Sequence, residues 1–213
     1  ISPRWQARRT PSDGTVGVSG SGSNPVRLFY FRGLRPNNGA ARPMTSEAFR
    51  GEFYQKVDAK ARVSIPAAFR RILEAEDPVS DQNPRARVYM VYGGKNRRFV
   101  ECYSRVGADA LAAKIEAMEL GSPERDRAER DLISRSVMIE VEPDGRIVLP
   151  PKVREKMGFL GDDLSGGGEA AFAGFTNRFK LYRREVYEAE LAEEDDDDGI
   201  DPLALVGRAS RAG

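Results

Sequence analysis

Apolar and polar residues fall into a regular pattern over residues 53–73. Residues 53–57 and 62–65 have the composition of two short β-strands, with Val63 and Ile65 on one face, and residues 58–61 between them, which include Asp58 and Lys60, predict a turn. Pro66 cannot donate a backbone hydrogen bond to a sheet, but its fixed φ suits the start of a helix. Apolar side chains at i, i+3 and i+4 then predict a helix with one apolar face, formed by Phe69, Ile72 and Leu73.

The same pattern returns 84 residues later, where residues 142–154 align without a gap on residues 58–70. An arginine, a proline and a second arginine recur at the same spacing: Arg62 with Arg146, Pro66 with Pro150, and Arg70 with Arg154. Residues 137–141 and 146–149 are the predicted strands of this copy, and 142–145 are its turn. The helix that follows is predicted to extend to Met157, with Gly158 as its C-terminal cap.

Each copy continues into a second pair of predicted strands, 88–92 with 99–103 and 170–175 with 179–182. A hairpin with about four residues per strand is not stable alone, so the two copies must pair their sheets. Interleaving the hairpins within one chain produces a single barrel. The predicted fold class is therefore α+β, mainly β: a double swapped-hairpin barrel made from two repeated β-hairpin-plus-helix modules, with disordered tails.

The two modules are predicted to span residues 50–105 and 136–188, with connecting helices over 106–135. Leu111, Ile115 and Met118 recur at helical spacing in this connection, and Gly121 ends their pattern. The Ser122-Pro123 pair that follows is typical of a helix start. The apolar stripe of the first of these helices is interpreted as a core-facing surface.

Both ends of the chain have a composition that differs from the modules. Residues 1–43 are rich in glycine, serine, proline and arginine and are predicted to be a disordered extension. Met44 precedes the first patterned segment, so a mis-called start, with Met44 as the true beginning, is an alternative to a functional basic arm. Residues 189–213 include the run 193–198 of consecutive acids and are predicted to be a disordered acidic tail.

The net charge of +1 conceals three segments of different sign. Residues 1–43 carry +6, residues 185–213 carry −8, and the segment between them carries +3. Nonspecific affinity for nucleic acid grows with the number of phosphates that a protein neutralises. A core with so small an excess would hold nucleic acid weakly as a single copy, so either its basic groups are focused or several copies act together.

Composition argues against several classes of function. The chain has one cysteine, Cys102, and no histidine, which leaves no internal disulfide, no Cys/His zinc site and no Ser-His-Asp or Cys-His catalytic set. Glycine-rich segments such as 93–94 lack the full spacing of a phosphate-binding loop. No run of about 18 apolar residues is present, so no membrane span is expected. The sequence predicts a non-enzyme without cofactor or metal, in a reducing cytoplasm.

The two predicted turns contain the residues with the clearest potential for binding. Arg62 and Arg146 occupy equivalent positions, and an acid precedes each by four residues, Asp58 and Glu142. Such an acid can close the turn and orient the guanidinium through a charge-assisted hydrogen bond. An oriented guanidinium can donate to a phosphate or to a guanine edge, and Lys60 adds a cation at the first turn. The alternative interpretation is an ordinary hairpin turn with no binding role.

Four segments together carry a resemblance to a known family: 51–53, 58–70, 144–154 and 177–182. They resemble the MraZ family, whose halves are similar to the AbrB swapped-hairpin DNA-binding domain, over about residues 50–190. The resemblance implies a transcriptional regulator of the division and cell-wall gene cluster, including its own operon. It also implies a ring-shaped oligomer that binds short direct repeats in promoter DNA.

The resemblance also implies roles for particular residues. Arg62 and Arg146 match the arginine of the family's Asp-x-x-x-Arg motif, which is implicated in DNA binding, and Asp58 matches its acid. Two positions depart from the pattern. Ala61 replaces a glycine, which implies strain if this position needs a positive φ. Glu142 replaces an aspartate, and its longer side chain puts the orienting contact of the second copy in question.

The predicted function is therefore a sequence-specific DNA-binding transcriptional regulator, located in the cytoplasm and associated with the nucleoid. Its expected partners are double-stranded promoter DNA and further copies of itself in a ring, with no membrane partner. A non-catalytic ring scaffold that binds protein partners is the alternative. RNA binding is less favoured, because the predicted strands show no recognisable stacking motif of surface aromatic residues.

Overall fold

The computed structural model describes residues 47–78, 80–81, 83–159, 164–165 and 167–195. All of these residues belong to one compact unit. The predictions for residues 1–43, including a start at Met44, and for the tail beyond residue 195 lie outside the described residues.

Eight strands and six helical segments follow one another in the described part of the chain. The strands are β1 (Glu52–Val57), β2 (Arg62–Ser64), β3 (Arg87–Val91), β4 (Val100–Tyr103), β5 (Ser136–Glu140), β6 (Arg146–Val148), β7 (Gly168–Phe175) and β8 (Arg178–Arg183). The helices are α1 (Ala67–Glu76), α2 (Arg105–Glu116), α3 (Pro123–Ala128), a π-helical segment (Glu129–Ser134), α4 (Pro151–Met157) and α5 (Arg184–Asp195).

The strands form one antiparallel sheet in the order β5-β3-β4-β8-β7-β1-β2-β6. The first strand of each module pairs with the third strand of the other, β1 with β7 and β5 with β3, so the hairpins are interleaved. The two end strands, β5 and β6, are joined by a turn in which the amide of Glu142 donates to the carbonyl of Arg146 at 2.8 Å. The sheet is thus a nearly closed barrel, and the predicted α+β double swapped-hairpin fold is confirmed.

The sequence repeat is matched by an internal two-fold relation in the sheet. In the β2–β6 pair, Val63 lies opposite Ile147 at the centre of the register. The amide of Ile65 donates to the carbonyl of Gly145 and the amide of Leu149 donates to that of Ala61, each at 2.9 Å. Each of these two hydrogen bonds becomes the other when every residue is replaced by its equivalent in the other module, 84 residues away. The two modules therefore contribute equivalently to the barrel.

The helices α1 and α4 supply apolar side chains to the inside of the barrel. Phe69 of α1 is fully buried, and its ring centroid lies 5.4 Å from that of Phe49, 5.2 Å from Phe53 and 5.0 Å from Phe179. Val153 and Met157 of α4 join the same core. Helix α4 ends at Gly158, whose φ of +82° is the left-handed cap conformation that the sequence predicted.

Helix α5 extends into the region that was expected to be disordered. Residues 189–195 are helical, so the predicted start of the tail at residue 189 is corrected by this helix. The helix is held because Tyr187 packs on Tyr182 with ring centroids 4.9 Å apart, in a small apolar cluster on the outer face of β7 and β8. Within the described residues, each helix is too short or too polar to cross a membrane.

Candidate nucleic-acid interface

The first turn holds the Arg62 guanidinium in a fixed position. The carboxylate of Asp58 accepts hydrogen bonds from the backbone amides of Lys60 at 2.8 Å and Arg62 at 2.9 Å. Its second oxygen accepts from Nε of Arg62 at 2.7 Å. The amide of Arg62, together with its side chain and the amide of Lys60, lowers the pKa of Asp58 against the opposing effect of desolvation. Asp58 therefore remains charged and orients Arg62, as the spacing predicted.

The turn backbone is left-handed at the position that precedes each arginine. Ala61 has a φ of +59°, and Gly145 at the equivalent position has a φ of +80°. Ala61 is the departure from the glycine of the family pattern, and the structure shows that the backbone keeps its conformation there. A Cβ in this region is disfavoured, so Ala61 carries the strain expected of a side chain at a positive φ.

The second turn orients its arginine with a different acid from the one expected. The carboxylate of Asp144 accepts from the amide of Arg146 at 3.1 Å, and its other oxygen lies 3.5 Å from Nε of Arg146. The expected orienting contact from Glu142 is thus replaced by one from Asp144. The shorter aspartate two residues away reaches the guanidinium in this turn, and Glu142 closes the turn through its backbone.

Both arginines lie on the same outer face of the sheet. In the β2–β6 register Arg62 is opposite Val148 and Ser64 is opposite Arg146, whereas Val63 and Ile147 between them point into the core. The side chains of Arg62 and Arg146 are 37% and 46% exposed, so neither is buried. They line one shallow groove of about 460 Å³.

The groove also contains residues that the repeat did not indicate. Lys56 of β1 and Glu169 of β7 line it, because β1 pairs with β7 beside the β1–β2 turn. Glu169 accepts from Arg184 of α5, which also lies over the ring of Tyr54 at 4.6 Å. The alternation of outward-facing residues in β1 could have indicated Lys56 as a groove residue. Glu169 could not have been assigned to the groove without knowledge of the swapped β1–β7 pairing. Lys60 is exposed at the tip of the first turn.

Fold and groove together define a double swapped-hairpin barrel protein with a duplicated basic turn. The chain is 49% identical over 164 residues to transcriptional regulator MraZ of Cereibacter sphaeroides, covering 76% of this chain and 96% of that protein. It is 39% identical over 170 residues to transcriptional regulator MraZ of Ruegeria sp., covering 77% and 98% of the two chains. No family model matches the chain. At this identity and coverage the chain belongs to the MraZ family of transcriptional regulators.

Proposed function

We propose that the chain regulates transcription by binding double-stranded promoter DNA through Arg62 and Arg146, without catalysis. The observation that carries this proposal is the location of the two arginines on one exposed face, each held at its turn by an aspartate. The name of the family relatives, transcriptional regulator, supports the class of function.

The geometry suits recognition of phosphate or guanine. Because Asp58 contacts Nε of Arg62, the two terminal Nη groups can donate together to a partner. Two such donors match the O6 and N7 acceptors of guanine in the major groove, or two oxygens of a phosphate. β2 and β6 are neighbours in the barrel sheet, and their outer faces would approach that groove together.

The two-fold relation within one barrel supports two contacts along a duplex. Exposed Val148 and half-buried Ser64 lie beside the arginines on the same strand pair and would face the same bases. Lys60 extends the positive surface at the first turn, where it would contact backbone phosphate. In this proposal Asp58 and Asp144 are positioning residues, because they act through the arginines.

Modest charge supports action by several copies. The segment between the charged ends carries only +3, and linked copies convert weak contacts into avidity. We propose a head-to-tail ring, which presents each turn in the same sense and so suits direct repeats. The targets proposed from the family resemblance are promoters of the division and cell-wall gene cluster, including the promoter of this chain's own gene. The protein would act in the cytoplasm at the nucleoid.

Fluorescence anisotropy with DNA from immediately upstream of the reading frame tests the proposal. Two lost contacts of about 1–3 kcal/mol each predict at least roughly 30-fold weaker binding by the Arg62→Ala, Arg146→Ala double variant. The variant should also show a shallower dependence of affinity on salt. The double variant Lys114→Ala, Arg130→Ala is the matched control, because it removes the same charge from exposed positions in the connecting region.

Light scattering in the same buffers distinguishes DNA binding from the scaffold alternative. The proposal expects the double variant to keep the oligomeric state of the unaltered protein while it loses DNA. If the double variant binds this DNA as tightly as the unaltered protein does, the arginines are not the interface. If the unaltered protein assembles but does not bind this DNA, the scaffold alternative is favoured.

A further inference from the structure

A second groove contains more positive charge than the turn groove. It has a volume of about 670 Å³ and lies where the β3–β4 loop meets the start of β5 and helix α4. Five cationic side chains line it: Lys95, Arg97, Arg135, Lys152 and Lys156. Neither Arg62 nor Arg146 is among its lining residues, so it is separate from the proposed DNA interface.

Three of these five cations have an acidic partner. Arg97 lies 3.3 Å from Glu101, Arg135 lies 2.7 Å from Asp131, and Lys152 lies 3.0 Å from Glu155. These partners leave the groove with an excess of about two positive charges by simple count of the described pairs. A bound anion would offset this excess.

Two cations of this groove, Lys95 and Lys156, have no acidic partner among the described residues, and Lys156 is the less exposed of the two. It is half-buried and donates to the neutral carbonyl of Gly94, and no described carboxylate lies within ion-pair distance of it. Burial lowers the pKa of Lys156, and the charges of Arg97 and Arg135 lower it further, while Asp131 opposes them. A cation that faces other cations in a partly dry position is stabilised by an anion that reaches all three.

The fold itself does not require these charges. Under the internal two-fold relation, Arg135, Lys152 and Lys156 correspond to Gly51, Ala68 and Ile72 of the first module. The first module forms the same strand and helix with small or apolar residues at these positions. The cationic residues therefore belong to a feature of one side of the barrel only.

We propose that this groove binds a small polyphosphorylated ligand, whose phosphate groups contact Lys156, Arg97 and Arg135. The volume lies within the usual range of about 300–1,000 Å³ for small-molecule sites. The half-buried position of Lys156 favours a small anion over the backbone of a duplex, because a phosphate on a duplex reaches exposed cations first. Several phosphates are favoured over one, since five cationic side chains line a groove of about 670 Å³.

Isothermal titration calorimetry with inorganic tripolyphosphate on the full chain tests this site. We expect saturable binding that persists at constant ionic strength, and at least about tenfold weaker binding by Lys156→Gln and by Arg135→Gln. Lys156→Arg keeps the charge and should keep most of the affinity. Arg71→Gln is the matched control, because Arg71 is an exposed cation on the two-fold-related helix α1. Thermal melts without ligand show whether each variant folds.

Three outcomes of these titrations would overturn a specific polyphosphate site in this groove. If sodium chloride at matched ionic strength produces the same heat and thermal shift as tripolyphosphate, the groove has only general anion affinity and the proposal is overturned. It is also overturned if Lys156→Gln folds and binds tripolyphosphate as tightly as the unaltered chain does. Weaker DNA binding by Lys156→Gln, with no tripolyphosphate binding to the unaltered chain, would assign the groove to DNA instead.

Discussion

Substitutions at the two left-handed turn positions should have unequal effects, although the backbone is equivalent at both. An ideal Cβ on Gly145 would lie 1.7 Å from Nη1 of Arg70 and 2.9 Å from its Cζ, so Gly145→Ala must displace this side chain. The left-handed φ of +80° adds a penalty of about 1–2 kcal/mol for any Cβ. Because alanine makes the unfolded chain less flexible than glycine does, the substitution also stabilises the folded state by about 0.4–1 kcal/mol.

The reverse change at Ala61 involves the same effects with opposite sign. Relief of the left-handed Cβ stabilises Ala61→Gly by about 1–2 kcal/mol, and the more flexible unfolded chain costs about 0.4–1 kcal/mol. Ala61 is only 2% exposed, so loss of its methyl group costs about 0.8 kcal/mol more. These contributions nearly cancel. We expect Ala61→Gly to lie within about 1 kcal/mol of the unaltered protein, and Gly145→Ala to be about 1–2 kcal/mol less stable.

Urea denaturation at one fixed protein concentration, followed by circular dichroism, measures both changes. A fixed concentration is needed because assembly contributes to apparent stability. The expected difference between the two turns is refuted if Gly145→Ala is as stable as the unaltered protein, since the turn would then accept a Cβ without displacement of Arg70. It is also refuted if Ala61→Gly stabilises the protein by more than about 2 kcal/mol, because burial of the Ala61 methyl group would then contribute nothing.

Two further predictions concern buried groups. The Asp77 side chain is 3% exposed and accepts two hydrogen bonds from the Arg87 guanidinium and one from the Arg87 amide, which hold its pKa below the usual value of an aspartate. Asp77 therefore stabilises the folded protein above about pH 4, and this stabilisation is lost as the pH falls through its folded-state pKa. In urea denaturation, Asp77→Asn should lower the free energy of unfolding by about 2–3 kcal/mol at pH 7 and by less at pH 3. Burial raises the pKa of the Cys102 thiol and shields it from solvent. The thiol should therefore react with Ellman's reagent at least about 100-fold more slowly in the native protein than in urea. Equal rates in the two conditions would contradict the burial of Cys102.

The repeat made most of the barrel predictable from sequence. Val63 and Ile65 on one face and the equivalent Ile147 and Leu149 identified the strands that point into the core. Helix α5 was not predicted, because its many acids resembled the tail that follows it. The repeat contained a signal for it: α2 begins at Arg105 and α5 at Arg184, an offset of 79 in place of 84. The change in offset concealed the equivalence of the two helices.

The candidate site was predictable where a contact is local and was not predictable where it depends on tertiary pairing. The Asp58–Arg62 contact follows from their spacing within one turn. The choice between Glu142 and Asp144 depends on how far each carboxylate reaches in the folded turn, which composition does not specify. The groove at Lys156 and Arg135 is assembled from segments that are distant in sequence, so no single motif indicated it.

The two turns show which physical feature fixes their shape. The same pair of backbone hydrogen bonds forms in both turns. The amide of the acidic residue, Asp58 or Glu142, donates to the carbonyl of the arginine, and the amide of Ala61 or Gly145 donates to the backbone carbonyl of the acidic residue. The barrel then adds a bond from the opposite module to the left-handed residue itself. Because these bonds hold the backbone from both sides, an alanine is tolerated at one turn and a different orienting acid at the other. The position of each arginine is thus set by the interleaved sheet, and the turn side chains adjust how firmly it is held.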